Sequence, residues 1–533
     1  MRALVAALPT CAILTSAQAQ TVTPSRYDDL LTLFEQWRDF QRPATVDGVP
    51  DYTAAAMATQ QRGLAEYQRR LAAFDTMGWT TAQQVDLHVL RAEMNGLDFD
   101  HRVLRPWARN PAFYLTVFWN QSDQPAREGH QARGSIELWQ YAYPLSTPRA
   151  AELRAALRTI PVLLEQARTN LVGDAHDLWV MGIRSLHDQS DGLERLATRV
   201  TGNAELVAEV RRAREATDRF GQWLEREAPS KTGPSGVGVE HYDWYLRHVQ
   251  LVPYTWEEEV TLMRRELARA RTALALEEER NRGLPPLAPI NDPAEWARRF
   301  KAAVSEYQAF LRDRGVLTVR DYMAPALLAR QGTYAPEPRE FFSEVSYRDP
   351  IVMRTHDFHW IDLARMEHDP HPDPIRRGPL LYNVFVSRTE GFATGMEEMM
   401  MHAGFLDGHP RGRELIYILI AQRAARALGD LMMHANRMTL EQAARFTMAN
   451  TPRHWLREDG RTVWFEQHLY LQQPGYGTSY LVGKMQIEQL LADRARQQGD
   501  RFTLREFVDE FTAAGLIPVS LIRWEMLGES IGE

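Results

Sequence analysis

Apolar residues recur at helical spacing through most of this chain. The first such segment, residues 28–40, places its apolar side chains on one helix face: Leu30, Leu31, Phe34 and Trp37. The same spacing returns in four longer segments, residues 54–74, 150–170, 175–201 and 204–227. Alternating patterns are scarce, and the best candidates for short strands are residues 315–322 and 345–355. The pattern therefore predicts a mainly α-helical fold with few short strands.

The composition changes most clearly at residues 228–238 (APSKTGPSGVG), which are rich in Pro, Gly and Ser. We place a boundary there, between an N-terminal helical half of residues 20–230 and a C-terminal helical half of residues 231–533. Residues 415–421 are apolar on nearly every face, which predicts a buried helix in the C-terminal half. Capping boxes predict helix starts at Thr255, Thr439 and Thr503. The expected architecture is a large helical bundle with a deep central cleft.

Residues 1–19 have the pattern of a signal peptide. Arg2 precedes an apolar run over residues 3–14, and Ala17-Gln18-Ala19 is a typical cleavage site before Gln20. Cys11 is the only cysteine, so the cleaved chain has no disulfide and no thiol nucleophile; lipidation of Cys11 is the alternative. No later run of about 18 apolar residues follows. We therefore expect an exported protein, periplasmic or secreted, without a membrane span.

Composition narrows the classes of partner. The chain has 533 residues, of which 44% are hydrophobic and 25% are charged, and its net charge is −8. Because charges of both signs are interspersed, no basic face for nucleic acid is expected. The sequence also contains no Gly-rich phosphate loop and no G-x-S-x-G nucleophile motif. The sequence therefore gives little support to a nucleotide-binding enzyme or a serine hydrolase.

Histidines are concentrated in one short window. Of the 16 histidines, four lie within sixteen residues: His356, His359, His368 and His371. Acidic residues are interleaved with them, and a helix with Glu390, Glu397 and Glu398 follows. Histidines and carboxylates at helical spacing, with a carboxylate from a later helix, form open zinc sites in hydrolases. The alternative is that these histidines are core residues bonded to their neighbours.

Several segments resemble one family. Glu390-Gly391-Phe392, followed by Glu397, resembles the EGW…E helix of the bacterial domain of unknown function 885, a family similar to zinc carboxypeptidases of the HExxH-plus-Glu kind. Further segments resemble other motifs of this family in the same order: residues 238–246, 423–434 (RAARALGDLMMH), 473–483 (QPGYGTSYLVG) and 507–521. The order and spacing of these segments support the resemblance more than any single motif does.

The family's metal motif, H-E-x-x-P-G-H, is altered in this chain. The matching segment is HDFHWID, residues 356–362. His356 is kept, Asp357 stands in place of the glutamate, Asp362 stands in place of the last histidine, and His359 is additional. The resemblance implies zinc as the cofactor, with ligands among His356, His359, Asp362 and Glu390. It implies Asp357 as the general base.

Other candidate roles follow from chemistry and position. Glu397 lies two helical turns after Glu390 and is expected to orient a ligand, as is His434. Two tyrosines are candidates for stabilising an oxyanion, and three cations are candidates for binding a substrate carboxylate. These are Tyr476, Tyr480, Arg376, Arg377 and Lys484. Each of them has a purely structural alternative.

The predicted function is an exported zinc-dependent hydrolase that resembles carboxypeptidases and cleaves peptide or amide bonds of small substrates. The alternative is a non-catalytic, exported helical protein that binds a peptide or small ligand in a degenerate metallopeptidase cleft. The altered segment 356–362 favours the alternative, whereas the histidine cluster and Glu390 favour the enzyme.

Overall fold

The computed structural model describes residues 25–126, 131–380 and 384–528. The predicted signal peptide, with Cys11, lies outside these residues. The described part is mainly α-helical, as the sequence predicts, and its strands form two sheets of two strands each. No helix in these ranges has both the length and the hydrophobicity that crossing a membrane requires.

Eight α-helices lie in the described N-terminal part. They are α1 (Tyr27–Phe40), α2 (Ala54–Ala72), α3 (Thr81–Phe99), α4 (Pro106–Arg109), α5 (Thr147–Leu157), α6 (Thr159–Asn170), α7 (His176–Arg199) and α8 (Ala204–Glu227). Strands β1 (Thr45–Val46) and β2 (Val49–Pro50) pair antiparallel, with Val46 opposite Val49. Strands β3 (Val117–Phe118) and β4 (Ile136–Glu137) pair in parallel, with Val117 opposite Ile136.

Fifteen further α-helices follow among the described residues. Those before the metal-ligand candidates are α9 (Val239–Tyr245), α10 (Trp256–Arg280), α11 (Pro293–Asp313), α12 (Met323–Leu328), α13 (Phe341–Arg348) and α14 (Pro350–Arg354). The rest are α15 (Phe358–His368), α16 (Pro374–Arg377), α17 (Val386–His402), α18 (Gly412–His434), α19 (Leu440–Asn450), α20 (Thr462–Gln472), α21 (Tyr476–Gln498), α22 (Leu504–Ala513) and α23 (Val519–Leu527).

Local sequence signals account for many helix starts. The capping boxes predicted at Thr255 and Thr439 are present. Each threonine hydroxyl accepts from the backbone N–H three residues on, and the side chain of that later residue accepts from the threonine N–H. Thr503 also caps its helix by accepting from the Glu506 N–H. The segment at residues 415–421 is the predicted buried helix, within α18. Burial on all sides makes α18 the helix around which α10, α19, α20 and α21 pack.

Both strand predictions are wrong. Residues 315–322 form turns, and residues 345–355 belong mostly to the helices α13 and α14. Pro350 begins α14, and the Asp349 side chain caps it by accepting from the Ile351 N–H. The β-branched side chains in this stretch are buried in the core, including Val345 and Val352. Packing and capping therefore override their intrinsic preference for strands.

The apolar core has two large parts. One joins α1 and α3 to the C-terminal helices, from Leu30 to Met526. The other lies within residues 49–224 and is built mainly by α5–α8. A small third cluster connects α7 with α19, α20 and α21, and it includes Tyr476 and Tyr480. The half boundary at residue 230 and the deep cleft remain predictions.

Candidate metal centre

Three predicted ligands meet at one point. His356 lies in the turn between α14 and α15, His359 lies in the first turn of α15, and Glu390 lies in the first turns of α17. One ligand atom from each of them lies within 4.8 Å of the others. A spacing of three residues suggests that the two histidines share one helix face. They do not, because α15 begins only at Phe358 and His356 precedes it. The turn brings them together instead, with ring centroids 5.1 Å apart.

His359 and Glu390 face each other directly. Their side chains are each 2% exposed, and His359 Nε2 lies 3.2 Å from Glu390 Oε2. Burial lowers the pKa of His359, but the carboxylates of Glu390 and Asp123 outweigh it and raise this pKa to about 9. Burial likewise opposes ionisation of Glu390, yet His359, His356 and the Tyr476 hydroxyl hold its pKa at about 2. Without a metal, the two groups therefore form a buried ion pair.

The rest of the Glu390 carboxylate is held by hydrogen bonds. The Tyr476 hydroxyl donates to Glu390 Oε1 at 2.7 Å, and Gln124 Nε2 donates to the same oxygen at 3.0 Å. The Thr389 hydroxyl donates to Gln124 Oε1 at 2.8 Å, which fixes the orientation of that amide. These contacts leave Oε2 directed at His359.

The donor set fits a divalent cation. His359 Nε2 and Glu390 Oε2 are both buried and have no well-aligned hydrogen-bond partner within the described residues. Tetrahedral zinc sites with bonds of about 2.0–2.2 Å place neighbouring ligand atoms about 3.3–3.6 Å apart. The separation of 3.2 Å between these two atoms is already close to that value. A small inward movement of His356 would complete a group of three ligands.

A carboxylate and a guanidinium contact the Nδ1 atom of His356. Its Nδ1 lies 3.1 Å from Glu397 Oε1 and 3.2 Å from Arg423 Nη2. Arg423 also donates two hydrogen bonds to the Glu397 carboxylate, at 2.7 and 2.8 Å. A carboxylate on the far nitrogen of a histidine fixes ring orientation and tautomer in metal sites. Glu397 thus contacts a candidate ligand, and its role in orienting that ligand for a metal remains a prediction.

Asp362 has a different partner. Arg388 binds both of its carboxylate oxygens, and the contact from Nη2 to Oδ1 is 3.0 Å. Both side chains are buried. The pair joins α15 to α17, and so it holds His359 against Glu390. Asp362 therefore lies outside the three-residue group.

Asp357 is also paired. Its Oδ2 lies 2.5 Å from Arg354 Nη1. Burial raises the pKa of Asp357, whereas Arg354 and the two site histidines oppose that rise. Asp357 precedes α15 by one residue, so its backbone leads directly into the turn that carries His359.

Asp123 is a neighbour of the site that sequence reasoning missed. It precedes Gln124 in the stretch that follows β3. Burial raises the pKa of Asp123; the charges of His359 and His356 oppose that rise, and that of Glu390 adds to it. No motif marks this residue, because its proximity to the histidines depends on a contact between Gln124 and Glu390 across 266 residues of sequence.

Two glycines set the distance between the helices that carry Glu390 and Tyr476. A Cβ atom built on Gly391 of α17 would lie 2.4 Å from the carbonyl carbon of Gly483 in α21. A Cβ atom on Gly483 would lie 1.9 Å from the Ser387 carbonyl oxygen. The helices therefore touch backbone to backbone, and this close approach lets Tyr476 reach the Glu390 carboxylate.

The predicted carboxylate-binding cations have other partners. Arg376 binds Asp86 and Glu525 and so connects α16 to α3 and α23. Arg377 donates to the carbonyl oxygens of His371 and Pro372. Lys484 binds Glu398 at 2.8 Å and Glu488 at 2.7 Å.

His434 and Tyr480 also lie outside the three-residue group. Burial lowers the pKa of His434 to about 4, and its Nε2 lies 2.9 Å from the Tyr470 carbonyl oxygen. The Tyr480 ring lies beneath the Arg426 guanidinium, 4.0 Å from ring centroid to carbon. Arg426 is in turn paired with the buried Glu466.

A profile of bacterial proteins of unknown function, DUF885, matches residues 40–350 and 359–526. The chain belongs to this family. The matched segments include His359, Asp362 and Glu390 but leave out residues 351–358, which contain His356 and Asp357. The family resemblance is thus confirmed, and its relation to zinc carboxypeptidases remains a prediction.

Two solved structures share the fold of this DUF885 protein. A candidate lipoprotein of unknown function from Shewanella oneidensis is 15% identical, with a TM-score of 0.67 over 94% of this chain and 98% of that one. A candidate lipoprotein from Colwellia psychrerythraea is 14% identical, with a TM-score of 0.67 over 94% and 97% of the two chains. No curated protein matches the chain.

Proposed function

We propose that this DUF885 protein is an exported zinc-dependent hydrolase that cleaves peptide or amide bonds of small substrates. One observation carries the proposal: two histidines and one glutamate, from separate elements, bring ligand atoms within 4.8 Å of one another in the protein interior. Burying a charged group costs free energy unless an opposite charge or hydrogen bonds compensate it. Here the partners are the very groups that ligate zinc in hydrolases.

Two nitrogens and one carboxylate oxygen are a ligand set of catalytic zinc sites, which keep one position open. A bound zinc ion would polarise a substrate carbonyl group and lower the pKa of a water molecule. Around it, Tyr476 and Gln124 hold Glu390, and Glu397 holds His356.

Two carboxyl groups are placed to take up a proton. Asp357 occupies the position of the family's general base, and burial raises its pKa against the opposing charges of Arg354, His356 and His359. Asp123 is the second candidate, with a pKa raised in the same direction by burial. The pairing of Asp357 with Arg354 holds its carboxylate in one orientation. Its place in the family motif therefore makes Asp357 the first candidate for the base.

The test compares Glu390→Gln with Glu398→Gln. Both glutamates are buried in α17, but Glu398 binds Arg269 and Lys484 and forms an ion pair with neither His356 nor His359 among the described residues. Zinc per chain and cleavage of a peptide library should both be lost in Glu390→Gln and kept in Glu398→Gln. If the parent protein, purified without chelator, contains no zinc and cleaves nothing after zinc is added, the proposal fails.

A second variant separates metal binding from proton transfer. Asp357→Asn should retain zinc but lose turnover by about 10²–10⁴-fold, the usual contribution of a general base. Asp123→Asn is the matched comparison, since Asp123 is the other acidic neighbour of the histidines. If only Asp123→Asn loses turnover while zinc is retained, Asp123 is the base instead.

A non-catalytic binding protein is the second candidate function. Two observations favour it: the carboxylate of Asp357 is already paired with Arg354, and the family match leaves out residues 351–358. A protein that loads zinc and binds peptides, yet leaves every peptide of the library intact, would establish this alternative.

Export is part of the proposal. The two similar structures are described as candidate lipoproteins, which supports a location outside the cytoplasm. Cleavage after Ala19 predicts an N-terminus at Gln20. Mass spectrometry of the exported chain would distinguish this end from a lipid-modified Cys11, and an uncleaved cytoplasmic chain would contradict both.

A further inference from the structure

A cavity of about 380 Å³ lies beside the stretch that carries Asp123 and Gln124. Its walls are residues 117–122, the face of α7 around Asp188 and Arg195, and one face of α20. Phe465 of α20 stands at this cavity with 59% of its surface exposed, which is unusual for a phenylalanine. Aromatic and aliphatic side chains thus line much of the wall.

Two buried polar atoms at this cavity have no hydrogen-bond partner within the described residues. They are His468 Nε2 and Trp119 Nε1. His468 is 5% exposed, and burial lowers its pKa to about 3, so the imidazole is neutral at physiological pH. Buried polar groups are nearly always satisfied, and these two atoms are covered by the cavity wall itself, so a small rotation of either ring would turn an unpartnered nitrogen toward a ligand in the cavity.

The charges at the cavity favour an anionic ligand. Arg461 lies 3.3 Å from Asp188, and that pair is neutral overall. Arg195 has no ion-pair partner within the described ranges, and its guanidinium lies over the Trp119 ring at 5.6 Å from the centroid. One uncompensated guanidinium beside two N–H-bearing rings is suited to a carboxylate.

The cavity is close to the candidate metal centre. Ser122 lines the cavity, and Gln124, two residues on, donates to Glu390. Two residues of chain span at most about 7 Å. A second connection runs from Gln121 to Arg330, which stacks at 3.8 Å on Trp360, the neighbour of His359. The backbone at the cavity wall therefore lies within about 7 Å of the Gln124 backbone, a distance that two or three residues of a peptide substrate span.

We propose that this cavity is a substrate subsite that takes a carboxylate-bearing residue of a short peptide, with Arg195 binding the carboxylate and Trp119 and His468 donating or accepting beside it. The inference rests on the proposed hydrolase for its position in the substrate, but its binding chemistry is independent of zinc. The carboxylate belongs either to the peptide's C-terminus or to an acidic side chain.

Binding of three peptides to the chelator-treated protein tests the proposal, because no cleavage then interferes. The probes are acetyl-Ala-Ala-Phe with a free carboxylate, its C-terminal amide, and acetyl-Ala-Glu-Phe-amide. We expect one or both carboxylate-bearing peptides to bind at least tenfold more tightly than the uncharged amide. Preference for the first assigns a terminal carboxylate, and preference for the third assigns an acidic side chain. Equal affinities, or no binding of any probe, would overturn the proposal.

Variants connect that preference to the cavity. Arg195→Gln should reduce the carboxylate preference by about ten- to a hundredfold. Arg199→Gln is the matched control, since Arg199 lies on the same helix and also stacks on Trp119 but does not line the cavity. His468→Phe should weaken binding while keeping the volume of the ring. Unchanged affinities in Arg195→Gln would refute the assignment.

Failure here and failure of the proposed function are distinguishable. A protein without zinc or turnover that still shows a preference dependent on Arg195 would refute the hydrolase and keep the subsite. An active zinc enzyme in which Arg195→Gln changes neither peptide affinity nor KM would keep the hydrolase and refute the subsite.

Discussion

The contact between Gly391 and Gly483 gives the sharpest stability prediction. In Gly391→Ala, the new Cβ would lie 2.4, 2.5 and 2.7 Å from the carbonyl carbon and Cα of Gly483 and the amide nitrogen of Lys484. Carbon atoms in contact are normally about 3.5–4.0 Å apart. Since all three neighbours are backbone atoms, they cannot rotate away, and α17 must move from α21 by about 1 Å.

The expected cost follows from two opposing terms. Overpacking of this kind costs about 1–3 kcal/mol and sometimes more, whereas replacing a helical glycine by alanine gains about 1 kcal/mol. Because backbone meets backbone at Gly391, the upper part of the cost range applies, and we expect a net loss of about 2 kcal/mol. The same separation would pull Tyr476 from Glu390, so zinc affinity should fall as well.

Gly395→Ala is the control on the same helix. Its new Cβ would meet the flexible end of Met399 at 3.2 Å, which can shift, and so the variant should be neutral or up to about 1 kcal/mol more stable. Urea unfolding of the zinc-free proteins, followed by circular dichroism, compares the midpoints. If Gly391→Ala unfolds at the same urea concentration as Gly395→Ala, the proposed backbone contact is wrong.

Two further predictions concern the site. Although both groups are buried, their mutual attraction holds the pKa of His359 at about 9 and that of Glu390 at about 2. In the zinc-free protein the stabilisation from Glu390 is lost as pH falls from about 4.3 to 2, and that from His359 is lost as pH rises from about 6.5 to 9. The difference in urea midpoint between the parent and His359→Gln should therefore be largest near pH 5–6, and a difference independent of pH would contradict the ion pair. Asp362→Asn leaves the buried Arg388 without its carboxylate and should cost about 3–5 kcal/mol, against less than about 1 kcal/mol for the exposed control Glu295→Gln; similar unfolding midpoints for the two variants would refute this role for Asp362.

Much of the fold follows from local signals in the sequence. The spacing of apolar residues predicts α1 and α2 nearly to the residue, and the boxes at Thr255 and Thr439 mark true helix starts. These features depend on residues within one or two turns of each other, so a single sequence contains them in full. Residues 345–355 show the limit, since their β-branched side chains suit either a strand or a buried helix.

For the candidate site too, some features are visible in the sequence and others depend on packing. The crowding of histidines near His356 and the helix that begins before Glu390 are visible in the sequence, because ligand types and their clustering are local properties. Which of them meet is decided by packing. Asp362 has the right chemistry and spacing for a ligand, yet Arg388 takes it, because α17 presents that guanidinium to the same face of α15.

Tertiary structure alone brings in the remaining neighbours. Gln124 reaches Glu390 across 266 residues, and Arg423 reaches the Glu397 carboxylate from a separate helix. No periodicity or motif encodes such contacts, because they depend on how whole helices pack and on how closely two backbones approach. Gly391 shows this most directly: the sequence marks it only as part of a family motif, and the crossing of α21 at Gly483 explains why a side chain there has no room.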